Sequence, residues 1–282
     1  MFGNYFKTAP FFLRTLGSAV KKYYKIEGTQ SGAAFAYYAF FSLFPLLGLM
    51  VATASYFVDQ DRAIHEVVGY IHDYLPLSAK MTQDISDTLN GMVDARGKVI
   101  VIAPVILLAG VFHFFNVLIK AINRAWGTEA KSWWHLTAKN FLLLGIMGTT
   151  LLVGVGVPLI GRIIKHWVFS NYDFGPWLFY AAIYAVPLLF LFGGLNLLYK
   201  LAPLRPTHFS EVWKAALAVT ALLFALECLF VFCVKKLGHF NVVYGTFGGM
   251  VALLTLIDIS GCITIMGSCL SAAQAGAKLH RR

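Results

Sequence analysis

The chain has 282 residues, of which 59% are hydrophobic and 13% charged, with a formal net charge of +10. A soluble domain carries roughly 25% charged residues, so the composition excludes an ordinary soluble enzyme. The apolar residues fall in blocks of 20 or more, and a helix of about 20 such residues crosses about 30 Å of hydrocarbon.

Taken in chain order, residues 9–24 come first. Phe12, Leu16, Ala19, Val20 and Tyr23 follow helical spacing, with Arg14, Lys21, Lys22 and Lys25 elsewhere. This predicts a helix lying on the cytoplasmic membrane surface. Span one is predicted at 33–58, with Pro45 in its middle. A proline removes one backbone bond and kinks a helix. Tyr37, Phe41 and Pro45 stand at i, i+4 and i+8, a stripe expected to face the bundle. Residues 59–97 hold seven acids and three bases. Ile64, Val67, Val68 and Ile71 mark one short amphipathic helix there. Met81, Ile85, Leu89 and Met92 mark a second, with Ser78 as its cap. The remaining spans are predicted at 99–121, 136–160, 177–199, 212–234 and 244–273. The fold class is therefore all-α, a six-helix transmembrane bundle.

Orientation follows from the basic residues. The termini and the loops 120–139 and 200–214 hold 15 Lys/Arg, against 8 in the opposite set of loops. Both termini are then cytoplasmic and 59–97 lies outside. Residues 1–32 form an N-terminal interfacial segment, 33–273 the membrane domain and 274–282 a basic tail. Trp126, Trp133, Trp134, Trp167, Trp177 and Trp213 lie near span ends, as an aromatic belt requires. No cleavable signal is expected. Cys228, Cys233, Cys262 and Cys269 lack metal or disulfide spacing and read as buried small hydrophobes.

Polar residues inside the spans carry the candidate chemistry. They are His113 and Asn116 on span two, Glu227 on span five and Asp258 on span six, with Tyr37 and Ser42 on span one. An ionisable group at mid-membrane costs about 2.5–3.5 kcal/mol to insert, and such groups usually face a bundle interior or a wet cavity. Counting from the outer ends of their spans, Asp258 lies about 21 Å deep and His113 about 22 Å deep. Both are expected to face one polar cavity that binds a headgroup or a proton. Gly245-x-x-x-Gly249 and Gly267-x-x-x-Ser271 suit close helix packing. Ser42 lacks the glycine-flanked context of a nucleophile. His65 and His72 fit no metal-site spacing, and the paired glycines are no phosphate loop. No metal, cofactor or nucleic acid is expected, the basic residues being better matched to anionic lipids.

Four fragments together resemble the YihY/BrkB family of bacterial inner-membrane proteins. They are Ala36-Tyr37-Tyr38-Ala39-Phe40-Phe41-Ser42-Leu43-Phe44-Pro45-Leu46, Ala121-Ile122-Asn123-Arg124-Ala125-Trp126-Gly127, Leu198-Tyr199-Lys200-Leu201-Ala202-Pro203, and Val243-Tyr244-Gly245 with Ser260 and Gly267 further on. The resemblance implies an inner-membrane location and a link to serum resistance or envelope lipid export. Some relatives have carried the name ribonuclease BN, but no carboxylate cluster for RNA cleavage stands out in a cytoplasmic loop. Relatives usually show Trp, Tyr and Ser where this chain has Leu256, Asp258 and Ser260. They also show Gly-Ala-Glu where it has Gly267-Ser268-Cys269.

The function expected is a non-enzymatic transporter or flippase for a lipid or other amphiphile. The alternative is a structural membrane protein acting in a homo-oligomer. A membrane-bound hydrolase or ribonuclease is the least favoured.

Overall fold

The computed structural model describes residues 11–54, 56, 68–69, 79–128, 142–143, 145–150, 153, 157, 176–236 and 248–279. Among them there are helices and turns but no strand. The long helices are α1 (Phe11–Lys25), α2 (Gly28–Ala54), α3 (Ala79–Asp94), α4 (Arg96–Trp126), α5 (Pro176–Leu201), α6 (Phe209–Lys236) and α7 (Gly248–Leu279). Four carry a stretch long and apolar enough to cross a membrane: Gly28–Leu49, Gly97–Trp126, Phe209–Cys233 and Gly249–Ala277. A shorter apolar stretch, Ala185–Leu201, belongs to α5. Most of predicted span three, the first short helix at 64–71, His65, His72 and Gly245 lie outside the described residues.

Two compact units divide the chain. One comprises Met1–Thr29, Leu118–Phe224 and Ile263–Arg282, the other Gln30–Val117 and Ala225–Cys262. In the first unit, Leu118, Ile119, Ile122, Leu195, Leu198, Tyr199, Val212, Val219 and Ile265 are fully buried. Lipid tails are as apolar as leucine, so close packing and hydrogen bonds hold such helices together. Gly267 of α7 shows how. A side chain there would strike both Val219 and Tyr199, so its absence lets α5 and α6 close on α7. The Tyr199 hydroxyl then donates to the Thr264 carbonyl at 2.7 Å.

Helix ends follow local chemistry. Glu27 ends α1 with φ 56. α4 ends at Gly127, whose φ of 67 is natural to glycine. Gly127 N donates to Arg124 O at 3.1 Å and Thr128 N to Asn123 O at 2.9 Å, the paired bonds of a Schellman ending. Between α5 and α6, Thr207 Oγ1 donates to Lys200 O at 2.7 Å. Glu211 accepts from the His208 backbone N at 3.2 Å, half of a capping box for α6.

Two apolar stripes differ from their sequence reading. On α1, Thr15, Ala19, Tyr23 and Ile26 are buried, whereas Leu16 and Val20 stay exposed. On α2, Tyr37 and Phe41 are exposed and Pro45 is half-buried. Eight residues advance about 800° around a helix, so Pro45 has drifted about 80° from Tyr37. The packed side of α2 is instead that of Phe35, Ala36 and Ser42.

Candidate functional site

All the polar residues singled out within the spans fall in the second unit. There α2 packs against α4 and α7. The Phe35 ring lies tilted against Phe114 with centroids 4.2 Å apart, Tyr38 stacks on His113 at 5.2 Å, and Ser42 sits against Gly110. The pairing numbers fall on α4 as they rise on α2, so the helices are antiparallel. On the other flank, Gly32 meets Cys262 and Asp258, and Phe35 meets Gly261. Glycines at 32, 110 and 261 thus leave room for the α2 backbone and its aromatic rings.

Each candidate side chain has a definite setting. Ser42 is buried, and its hydroxyl donates to Tyr38 O at 2.7 Å, a bond within its own helix. His113 is exposed, and its Nδ1 lies 2.7 Å from Ala109 O. A carbonyl only accepts, so Nδ1 carries the proton and Nε2 of the neutral ring is left as an acceptor. Asp258 is half-buried. Its Oδ1 lies 3.9 Å from Cys262 Sγ and 3.4 Å from where a Gly32 side chain would begin. Asn116 is half-buried, and Glu227 is exposed on α6.

Phe35 touches both Phe114 and Gly261. His113, against Tyr38, and Asp258, against Gly32, meet α2 six residues apart, about 9 Å along its axis. They do not form an ion pair among the described residues. Asp258 lies by Gly32 and His113 by Tyr38, positions about 120° apart around α2, with Phe35 between them. Glu227 likewise has no ion-pair partner among the described residues. No group of three His, Cys, Asp or Glu side chains converges among the described residues. Gly249 is buried, and Ser271 Oγ donates to Gly267 O at 3.1 Å.

A second polar cluster, in the first unit, was not singled out as a site from the sequence. Asn123 lies at its centre, 4% exposed. Its Nδ2 donates to Ile119 O at 2.9 Å and Ala202 O at 3.0 Å. Its Oδ1 accepts from Leu204 N and Thr128 Oγ1, each at 2.9 Å. The Arg205 guanidinium lies 4.3 Å above the Trp126 ring, and its Nη2 reaches Glu211 Oε2 at 3.4 Å. Lys22 of α1 donates to Ala125 O at 3.3 Å. The signal for this cluster was present in the fragments around Asn123 and Tyr199, which end α4 and α5. Nothing in one fragment says that it bonds to the other.

Several long apolar helices, with ionisable groups set into them, define a multi-pass integral membrane protein. The family model described as virulence factor BrkB matches residues 19–281, and the chain belongs to that family, also called YihY. A Bacillus subtilis protein named as ribonuclease-like, YfkH, is 28% identical over 278 residues, covering 96% of each chain. A UPF0761 membrane protein of Neisseria meningitidis serogroup B is 22% identical over 90% of this chain and 61% of its own length. One from Alcanivorax borkumensis is 26% identical over 90% of this chain and 58% of its own. The chain thus spans about three fifths of the UPF0761 relatives it matches. No solved structure matches it significantly.

Proposed function

We infer that the protein moves a lipid or another amphiphile across the bacterial inner membrane, and that it is not an enzyme. The observation that carries this reading is the exposure of His113 and Glu227 on the sides of apolar helices. Ionisable side chains at such depth need water, a polar headgroup or a partner, and neither has an ion-pair partner among the described residues. Asp258, Asn116, Ser42 and Tyr37 are the further polar groups of these spans in this reading, with Nε2 of His113 as a free acceptor. In this reading six spans cross the membrane with both termini cytoplasmic. α1 lies in the inner interface, its Leu16 and Val20 in the acyl boundary and its Arg14, Lys21 and Lys25 among headgroups. Residues 1–32, 33–273 and 274–282 are the interfacial, membrane and tail segments.

The test is reconstitution of the full chain into vesicles holding fluorescent phosphatidylglycerol or phosphatidylethanolamine, with dithionite quenching of the outer leaflet. Wild type should expose inner-leaflet label faster than empty vesicles. Asp258→Asn and His113→Ala should each slow it by about tenfold, the effect of losing a charged hydrogen-bond partner. Full activity in Asp258→Asn, or no lipid movement by wild type, sinks the proposal. A scaffolding role in a homo-oligomer is the second reading. It is favoured by the aromatic face of Tyr37, Phe41 and Phe44, which are 55%, 54% and 42% exposed. A monomer by mass measurement in native nanodiscs would remove it.

A further inference from the structure

Charge in the first unit is strongly one-sided. Among its described residues ten are Lys or Arg and two are Glu, at 27 and 211. Most of those bases are exposed, as Arg14, Lys21, Lys25, Lys120, Arg124, Lys200 and Lys214 are, and they need no fixed partner. Arg205 is different. Two-thirds of its side chain is withdrawn from solvent, and its carboxylate partner is distant, 3.4 and 3.5 Å from Nη2 to the two Glu211 oxygens. Strong guanidinium–carboxylate bonds are about 2.7–2.9 Å long. Arg205 Nε is buried with no acceptor, and so is Nε1 of Trp126, on the ring stacked beneath it. Trp126 is 9% exposed. An unpaired buried donor costs about 1–3 kcal/mol, and here two lie on stacked side chains, one of them cationic.

The backbone around this pair is fixed from both sides. Asn123 holds Ala202 and Leu204, just before Arg205, and the Gly127 ending sets Trp126. Two unsatisfied donors held that rigidly, on a side chain one-third exposed and the ring beneath it, suit the oxygens of a tetrahedral anion. In a membrane protein the abundant anion at a basic helix end is a lipid phosphate, and basic residues at that level attract it by about 1 kcal/mol each. Exposed Phe209 and Trp213 stand on the first turns of the next helix, at the same end of α6 as Glu211.

We propose that Arg205, backed by Trp126, binds the phosphate of an anionic lipid headgroup. The guanidinium supplies the charge, the indole N–H the second donor, and the basic surface of the unit the preference for a net negative lipid. This site is separate from the span residues assigned to transport and stands whether or not the protein moves lipid.

Native mass spectrometry of the full chain in detergent tests it, with dihexanoyl phosphatidylglycerol, dihexanoyl phosphatidylcholine or sodium phosphate as the probe. Wild type should retain one phosphatidylglycerol at least about tenfold more tightly than phosphatidylcholine, with sodium phosphate a weak competitor. Arg205→Gln should lose that preference by about tenfold, the scale of one charge-assisted bond. Trp126→Phe keeps the stacked ring and loses only the N–H. It should weaken binding by roughly threefold to tenfold with an unchanged lipid-free Tm, and it decides the matter if Arg205→Gln does not fold. Lys80→Gln, an exposed base of the other unit, should bind as wild type does. Equal binding of both lipids by wild type overturns the proposal. So does sodium phosphate displacing phosphatidylglycerol at equal concentration, or phosphatidylglycerol binding by both Arg205→Gln and Trp126→Phe at wild-type affinity.

Discussion

Replacing Asn123 with alanine would strand a backbone N–H at Leu204 and a carbonyl at Ala202, and would leave the Thr128 hydroxyl only its 3.2 Å bond to the carbonyl of residue 123. An asparagine amide has two donors and two main acceptor sites, and Asn123 uses all four. Losing several buried partners at about 1–3 kcal/mol each, shared among groups that partly relax, predicts a net loss of about 2–4 kcal/mol. The Asn123→Ala variant should therefore show a clearly lower Tm in detergent, read by size-exclusion after heating. An unchanged Tm would mean that water replaces all four bonds. Ser42 makes a contrast at the same scale. Its hydroxyl bonds within its own helix, so Ser42→Ala should shift Tm by no more than about 1 kcal/mol equivalent, and a larger loss would point to a ligand or partner there.

Along α7, two glycines nine residues apart predict opposite outcomes. A methyl group at Gly267 would meet Val219 and the Tyr199 ring, which is anchored through its hydroxyl to Thr264. Overpacking of this kind costs about 1–3 kcal/mol, so Gly267→Ala should destabilise. At Gly276 a methyl group would meet nothing within 4 Å. There alanine should stabilise by up to about 1 kcal/mol, the difference in helix propensity. Thermal melts of the two variants against wild type decide this, and the same sign for both would refute it. The helices themselves were legible in the sequence because twenty apolar residues in a row admit little else. Predicted span two at 99–121 sits inside α4, Arg96–Trp126, and predicted span six, 244–273, overlaps α7. Which face of a helix packs was less legible. On α2 nearly every residue is apolar, so periodicity carries no information, and small partners at Gly32, Gly110 and Gly261 select the buried side.

For the molecule as a whole, charge asymmetry predicts that residue 85, on α3, lies outside the cytoplasm. An Ile85→Cys variant in a cysteine-free background should react with a membrane-impermeant maleimide added to spheroplasts. Labelling from the cytoplasmic side only would reverse the topology. The positions of Asp258 and His113 along their own helices could be reckoned from chain length alone, since rise per residue is fixed. That Phe35 stands between them could not, because it depends on three helices meeting at one ring. The Arg205–Trp126 stack was illegible for the same reason: its members are 79 positions apart and pair only once the turn after α5 is fastened to the end of α4.

That fastening sets an order of events during synthesis. The Asn123 side chain emerges 79 residues before Ala202 and 81 before Leu204. At about 5–20 residues per second, the ribosome needs about 4–16 s to deliver its distant partners. Over that interval the Asn123 side chain has only its local bonds, to Ile119 and Thr128. Biogenesis of this protein therefore includes a window in which α4 is made and its lock is not. A ribosome stalled before residue 204 would leave a nascent chain whose α4 end is open to proteases, and one stalled well after it would not.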